Sequence, residues 1–92
     1  MYVVKSTTKF QRDLKRAEKR GYRIDLLMAV IKKLAAGETL DKSYNDHPLK
    51  GEYKGCRECH ITPDWLLIYK IKDDTLFLYL TRTGTHSDLF ER

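Results

Sequence analysis

The chain contains three histidines, and each lies in a short segment beside other chemically useful side chains. The segments are Asp46-His47-Pro48-Leu49, His60-Ile61-Thr62-Pro63-Asp64-Trp65 and Arg82-Thr83-Gly84-Thr85-His86. Histidine has an ordinary pKa of about 6.5, so it gives and takes protons near neutral pH. If the fold brings the three segments together, they form an acid/base site.

The charge balance of the chain favours a polyanionic partner. Eighteen Lys and Arg residues against thirteen Asp and Glu residues leave a net charge of +5. Such a surface attracts RNA, DNA, an acidic protein or an anionic membrane, and charge alone does not choose among them. Together with an acid/base site, however, a basic surface suits the cleavage of a phosphodiester bond.

The neighbours of each histidine suggest how it is held. The turn Thr62-Pro63-Asp64 can fold the carboxylate of Asp64 back towards His60, where it would orient the imidazole and stabilise its protonated form. His47 precedes a proline in a predicted loop, and Gly84 lets the chain turn before His86. Each histidine taken alone also fits a purely structural role.

Three further residues have both a structural and a binding interpretation. The guanidinium of Arg82 ends the last predicted strand and could hold a phosphate by paired hydrogen bonds. Trp65 either caps the core or stacks on a base. Phe90 either anchors the C-terminal segment or offers a stacking platform.

The segment Cys56-Arg57-Glu58-Cys59-His60 matches the pattern of c-type haem attachment, and its first four residues match a redox or zinc half-site. A zinc site would need a second ligand pair, and haem attachment would need export. On a strand, residues three apart face opposite sides, so Cys56 and Cys59 diverge while Cys56, Glu58 and His60 share a face. We predict reduced cysteines, with Cys59 in the core, and no haem, metal or other cofactor.

The first half of the chain predicts a strand over 2–6 and two helices, over about 8–20 and from about 24 to Gly37. Thr8 and Gln11 have the spacing of a capping box. Glycine follows each helix, and a polar loop over 38–45 comes next. The two helices are expected to form an antiparallel hairpin.

The second half predicts three antiparallel strands, over 57–61, 65–71 and 75–83. In the last strand, one face carries Leu76, Leu78 and Leu80, and the other carries Phe77, Tyr79, Thr81 and Thr83. The leucine face is expected to lie under the helices together with Leu66, which places His60 on the opposite face. The predicted fold class is a single α+β domain over residues 1–92.

The first residues of the chain predict neither a signal peptide nor a membrane span. A charged stretch follows Met1-Tyr2-Val3-Val4-Lys5 where such a segment would need a long apolar run. We therefore expect a cytoplasmic protein with no membrane partner.

Taken together, the three histidine segments resemble the YafQ branch of the RelE/ParE toxin superfamily, bacterial toxins of type II toxin–antitoxin systems. The resemblance covers essentially the whole chain. It is most specific in Asp46-His47-Pro48-Leu49 with Gly51, in Arg57-Glu58-Cys59-His60-Ile61 with Pro63-Asp64-Trp65, and in Arg82-Thr83-Gly84-Thr85-His86-Ser87-Asp88-Leu89-Phe90. It implies a compact RelE-like sheet backed by two helices.

The same resemblance implies an mRNA interferase, an endoribonuclease that cuts messages in the ribosomal A site at an adenine-rich lysine codon. A cognate antitoxin of the DinJ/RelB kind would neutralise it. The resemblance also carries site residues: a catalytic group of His47, His60, Asp64 and His86, with Phe90 needed for activity and Arg82 and Trp65 matching less firmly as RNA-binding or supporting residues.

A mechanism without metal follows from the chemistry of RNA. A base takes the proton of the ribose 2′-OH, a cation stabilises the charge that builds on phosphorus, and an acid protonates the leaving oxygen. We assign His47 as base and His86 as acid, with His60, Asp64 and Arg82 stabilising the transition state. The reverse assignment of base and acid stays open.

Two other functions remain as alternatives. ParE-like members of the superfamily act on DNA gyrase without cutting RNA, and a basic module can bind RNA without catalysis. The set of three histidines favours the nuclease, because neither alternative needs it.

Overall fold

A computed structural model describes residues 1–90, and within that part the chain forms a five-stranded sheet with three α-helices. The elements are β1 (Val3–Ser6), α1 (Thr8–Lys19), α2 (Ile24–Ala35), β2 (His47–Pro48), β3 (Arg57–Thr62), β4 (Trp65–Lys72), β5 (Phe77–Gly84) and α3 (His86–Phe90). The predicted domain also includes residues 91 and 92, which lie outside the described part. None of the described helices is long and apolar enough to cross a membrane.

The strands lie in the order β1-β5-β4-β3-β2. β3, β4 and β5 form the predicted antiparallel meander, and β1 runs parallel to β5 at one edge. β2, in a segment that was predicted to be a loop, pairs with β3 at the other edge. A two-residue strand containing proline is tolerated at such an edge because one side of it needs no ladder hydrogen bonds.

The first helix begins one residue earlier than its capping signal predicts. The hydroxyl oxygen of Thr7 accepts a hydrogen bond from the backbone N–H of Phe10 at 2.9 Å, so Thr7 is the N-cap. Gln11 donates its side-chain hydrogen bond to Ser6 rather than closing a capping box at Thr8. Thr7 caps the helix although the residue three positions later is Phe10, which cannot close a capping box.

The helices pack on one face of the sheet, as predicted. Leu78 and Leu80 of β5 are buried there against apolar residues of α1 and α2. Leu76 is an exception: it lies in the turn before β5, with φ of 56° and 53% of its surface exposed. The leucine face therefore starts two residues later than the alternation predicts.

A bulge between β4 and β5 reverses the predicted orientation of Thr83. Leu80 lies opposite Tyr69 and Arg82 lies opposite Ile68, which leaves one extra residue in β5. Thr83 consequently pairs with Leu67 and is fully buried on the helix side. Simple alternation places it on the other face and cannot foresee the bulge.

The opposite face of the sheet carries a smaller apolar cluster built on Leu66, Ile68 and Leu89. His60 pairs with Leu66, so the prediction that His60 faces away from the helices is confirmed, whereas Leu66 lies on the side of His60 and not under the helices. Leu89 belongs to α3, a helix formed by the segment that was expected only to anchor the C-terminal end.

The two cysteines diverge as predicted. Cys59 is fully buried in the helix-side core, while Cys56 packs against the cluster on the other face. Both thiols are free. Burial raises the pKa of the Cys59 thiol to about 12, so this residue stays protonated and unreactive.

Candidate active site

The three histidines form a row on the sheet face opposite α1 and α2. His47 lies on β2, His60 on β3 and His86 at the start of α3. Ring centroids are 6.4 Å apart for His47 and His60, and 5.7 Å apart for His60 and His86. The fold thus brings together the three segments that the sequence analysis selected.

A buried carboxylate joins two of these histidines. One oxygen of Glu58, Oε2, lies 3.0 Å from His47 Nε2 and 3.3 Å from His60 Nε2. The side chain of Glu58 is only 6% exposed. Since a buried charge is costly without partners, the three side chains hold one another in place, and we call them the Glu58 cluster.

Strand geometry explains the Glu58 cluster. His47 is the cross-strand partner of Glu58 in the β2–β3 pair, and His60 is two residues further along β3 on the same face. The sequence analysis noted that Glu58 and His60 share a face but assigned Glu58 no role. The i, i+2 spacing of Glu58 and His60 was the available signal in the sequence.

The third histidine has a carboxylate of its own. Asp64 Oδ1 accepts hydrogen bonds from His86 Nδ1 at 2.7 Å and from the His86 backbone N–H at 3.2 Å. The sequence analysis paired Asp64 with His60, and this partner was wrong. The β3–β4 register shifts between His60 and Thr62, directly before the turn that carries Asp64, and in the folded chain Asp64 meets His86 instead.

This second pair is open to solvent. The side chains of His86 and Asp64 are 53% and 68% exposed. The hydrogen bond from His86 nevertheless holds the pKa of the Asp64 carboxyl below its ordinary value. Asp64 is therefore charged at neutral pH and keeps the Nδ1 proton on the side of the ring that faces it.

A capping box fixes the position of His86. The Thr85 N–H donates to Asp88 Oδ2 at 3.0 Å, and the Asp88 N–H donates to Thr85 Oγ1 at 3.1 Å. Arg20 binds the same carboxylate at 2.7 Å and keeps the pKa of Asp88 well below its usual range. A Cβ atom added to Gly84 would lie 3.0 Å from Asp88 Cβ, so glycine is needed there for close approach as well as for turning the chain.

Arg82 is held by an ion pair inside the protein. Its Nε and Nη2 donate to Asp13 at 2.7 and 3.0 Å, and its Nη1 lies 3.4 Å from the hydroxyl oxygen of Tyr53. Asp13 is 4% exposed and also accepts a hydrogen bond from the Thr83 N–H. The guanidinium fork expected to hold a phosphate instead binds Asp13, so Arg82 supports the end of β5.

The two aromatic candidates differ in exposure. Trp65 is 3% exposed, and its Nε1–H donates to Thr83 Oγ1 at 2.9 Å, so of its two interpretations the structure supports the core role. Phe90 is half-buried beside the histidine row, with its ring 6.4 Å from His86 and 5.6 Å from Tyr53. A base stacked beside His86 would meet Phe90 and not the face of Trp65.

Asp46 anchors the segment that carries His47. It accepts hydrogen bonds from Arg57 Nε at 3.0 Å and from the hydroxyl of Tyr69 at 2.5 Å. Tyr69 is buried, and this burial raises the pKa of its hydroxyl, which therefore remains a donor. The sequence analysis gave neither Asp46 nor Tyr69 this role because the contact spans β2, β3 and β4.

The Glu58 cluster also meets the spacing of a metal site. Ligand atoms of His47, Glu58 and His60 all lie within 4.8 Å of one another. Two imidazole nitrogens and one carboxylate oxygen are a donor set that suits divalent transition metals. The sequence predicted no metal because the ligands weighed there were the two cysteines with one histidine, and not this set.

Comparison with known proteins places this site in a family. The family model described as "Bacterial toxin of type II toxin-antitoxin system, YafQ" matches residues 2–91. The mRNA interferase toxin YafQ of Escherichia coli K12 is 42% identical over 82 residues, which cover 88% of this chain and 87% of that protein.

Two solved structures agree with this match over nearly the whole fold. A chain in the crystal structure of the E. coli DinJ–YafQ complex has a TM-score of 0.89 and 37% identity, and the match covers 98% of this chain and 99% of that one. A metal-bound toxin from Helicobacter pylori has a TM-score of 0.91 and 46% identity, with 98% and 100% covered. These matches confirm the resemblance, and the chain belongs to the YafQ family of bacterial toxins of type II toxin–antitoxin systems.

Proposed function

We propose that this protein is a ribosome-dependent mRNA interferase, which cuts messages in the A site and is neutralised by a cognate antitoxin. The observation that carries the proposal is the histidine row, with ring centroids 6.4 and 5.7 Å apart and a carboxylate at each end. The E. coli relative that matches most of the chain is named an mRNA interferase. The proposal places the protein in the cytoplasm, where ribosomes present messages.

The reaction uses a nucleophile that belongs to the RNA. The ribose 2′-oxygen loses its proton and forms a bond to the adjacent phosphorus, while the bond from phosphorus to the 5′-oxygen of the next nucleotide breaks. The products are a 2′,3′-cyclic phosphate and a 5′-hydroxyl. A base, an acid and a cation next to the phosphate are sufficient for this chemistry.

His60 and His86 have the geometry of the base and the acid. Each has one ring nitrogen next to a carboxylate: Nδ1 of His86 is hydrogen-bonded to Asp64 at 2.7 Å, and Nε2 of His60 lies 3.3 Å from Glu58 Oε2. The other ring nitrogen, Nδ1 of His60 and Nε2 of His86, forms no hydrogen bond with any described residue. It is therefore available to the RNA. A carboxylate behind an imidazole fixes its tautomer and orientation, which a proton-transfer histidine needs.

His47 has a different environment. Its Nε2 lies 3.0 Å from Glu58 and its Nδ1 lies 3.2 Å from the carbonyl oxygen of Pro48. A neutral imidazole has a single N–H, so only the cationic form donates to both oxygens. We therefore assign His47 to stabilise the charge on the phosphorane-like transition state and move the role of base, assigned to His47 from the sequence, to His60.

Dependence on the ribosome has a physical basis. A chain of 92 residues has little surface with which to hold a flexible strand, whereas the decoding site presents an ordered codon. The net charge of +5 also favours binding to rRNA, with affinity that falls as salt rises.

The test is to add the purified protein to ribosomes programmed with a defined message and to map the cut ends. We expect cleavage inside the A-site codon, a 2′,3′-cyclic phosphate on the upstream product, and no cleavage without ribosomes. A message with a 2′-deoxyribose at the cut position should stay intact. Full cleavage of the deoxy message, or no cleavage of any message, would contradict the proposal.

A further inference from the structure

A cleft of about 440 Å³ lies next to the histidine row but outside it. It opens between the connection from α1 to α2 and the turn from β3 to β4. Tyr22, Leu26 and Trp65 form its apolar side, and Arg23 and Asp64 are among its polar residues. We refer to it as the Tyr22 cleft. No step of the proposed reaction uses it.

The Tyr22 cleft shares a wall with the reaction site. Asp64 lines the cleft and at the same time accepts the hydrogen bond from His86 Nδ1 at 2.7 Å. Thr85, the residue directly before His86, lines it as well. A group bound in the cleft is therefore an immediate neighbour of the phosphate on which His86 acts.

The lining matches the chemistry of a nucleobase. A base is a flat aromatic ring with hydrogen-bonding edges, and it binds well between aromatic surfaces with a few polar groups at the rim. Tyr22 is half-buried and offers part of its ring to the cleft. Trp65 is 3% exposed, its indole N–H is bound to Thr83, and its ring meets Tyr22 edge to face at 5.0 Å, so it supports the Tyr22 ring from behind. Thr62 adds a hydroxyl at the rim.

Arg23 supplies charge at the mouth of the cleft. It pairs with Asp25 at 2.7 Å, and the two side chains are 70% and 64% exposed. An exposed pair of this kind contributes little and exchanges readily, so the guanidinium can turn to a phosphate or to a base edge.

We propose that the Tyr22 cleft seats one base of the message, that of a nucleotide flanking the cleaved bond, and so helps to select the codon. This inference rests on the proposed endoribonuclease function. Stacking of one base on aromatic side chains corresponds to roughly a tenfold to hundredfold gain in binding.

The first test fills the cleft. Leu26→Trp places an indole in it, and Met28→Trp, on the same helix but outside the cleft and 45% exposed, is the matched control. Single-turnover cleavage on programmed ribosomes should require about tenfold more Leu26→Trp than wild-type protein for half-saturation, with the control unchanged. The rate at saturation should change much less.

A message with an abasic nucleotide beside the cut identifies the base. At one position the abasic nucleotide should weaken message binding by the wild-type and Met28→Trp proteins about tenfold. It should not weaken binding by Leu26→Trp any further. Equal losses for all three proteins at every position would overturn the cleft assignment. A wild-type protein that cuts no message would instead overturn the proposed function.

A second measurement needs no substitution in the cleft, so folding of Leu26→Trp does not affect it. The cleavage-deficient His86→Ala protein is bound to ribosomes carrying a message with 4-thiouridine at each position around the cut, and is then irradiated. Crosslinks to Tyr22 at one position support the proposal. Crosslinks confined to Tyr53 and Phe90, which do not line the cleft, would overturn it.

Discussion

The two ends of the histidine row use the same chemical groups in opposite surroundings. At one end Glu58 is 6% exposed and binds two histidines on paired strands, and at the other end Asp64 is 68% exposed and binds one histidine between a turn and a short helix. The first arrangement is the more rigid one because Glu58 is buried, and removing either histidine takes away one of its two partners. The second exchanges its hydrogen bond with water easily.

This difference separates two tasks. A fixed, partly buried group of charges suits stabilisation of a transition state, since its dipoles need no rearrangement when charge develops on phosphorus. An exposed histidine with one free nitrogen suits a proton transfer to a leaving group that must then diffuse away. His60 lies between the two ends, bound to Glu58 and 5.7 Å from the ring of His86.

The largest effect is expected from removing either proton-transfer group. His60→Ala and His86→Ala should each lower the single-turnover cleavage rate by about 10²–10⁴-fold, because each removes one proton transfer. The measurement is cleavage of a defined message on programmed ribosomes. The comparison would fail if His47→Ala abolished the rate while His60→Ala left it intact, since His47 would then be the base.

The next test exchanges the two carboxylates for their neutral isosteres. Glu58→Gln should lower the rate by about a hundredfold, because the cluster loses the charge that holds both imidazoles. Asp64→Asn should cost only about tenfold, because water already screens the charge at this exposed site. The midpoint of thermal unfolding should be lower for Glu58→Gln and almost unchanged for Asp64→Asn. If the two variants changed the cleavage rate and the unfolding midpoint equally, the two ends of the histidine row would not differ as described.

Local sequence patterns predicted the Glu58 end of the histidine row better than the Asp64 end. The alternation along β3 places Glu58 and His60 on one face and Cys59 on the other, and these placements are confirmed. Strand alternation depends only on neighbouring residues. Glu58 itself was missed as a site residue because its burial depends on β2, a strand of two residues that no periodicity reveals.

Contacts across long stretches of chain were not predictable in the same way. Asp64 follows a register shift in the β3–β4 hairpin and is hydrogen-bonded to His86, not to His60. Arg82 is hydrogen-bonded to Asp13, a residue on α1. In each case several partners of the right charge exist in the sequence, and the direction of a turn or a bulge decides among them. Such pairings are set by the packing of the whole fold, so local sequence patterns do not predict them.

A smaller effect is expected at the base of α3. Gly84→Ala brings a Cβ to 3.0 Å from Asp88 Cβ and strains a backbone with φ of 157°, which should lower the free energy of unfolding by about 1–3 kcal/mol. Because the capping box would shift, cleavage should also fall by about tenfold. Gly37→Ala is the matched control: its φ is 83°, and the added Cβ meets only Tyr2 at 3.9 Å.

Both variants should lose stability in chemical denaturation, but only Gly84→Ala should lose cleavage at temperatures where the protein stays folded. If both lost cleavage equally, global stability would explain the effect and the capping box would not be a positioning device for His86.

The smallest effect concerns the pH dependence of the exposed pair. The hydrogen bond from His86 lowers the pKa of Asp64, so the pair stabilises the fold fully above the ordinary Asp value of about 3.9 and loses this contribution as pH falls through the lower folded-state pKa. Carboxyl-carbon NMR titration should give a midpoint for Asp64 below that ordinary value. In His86→Ala the midpoint should rise towards it.

Asp88 provides the internal control for this titration. Arg20 is the main cause of its low pKa, so His86→Ala should leave the Asp88 midpoint where it is. If the Asp64 midpoint stayed low without His86, a group other than the histidine would hold its charge. The exposed end of the row would then share the rigidity of the Glu58 cluster, and the assignment of the two ends to different tasks would lose its electrostatic basis.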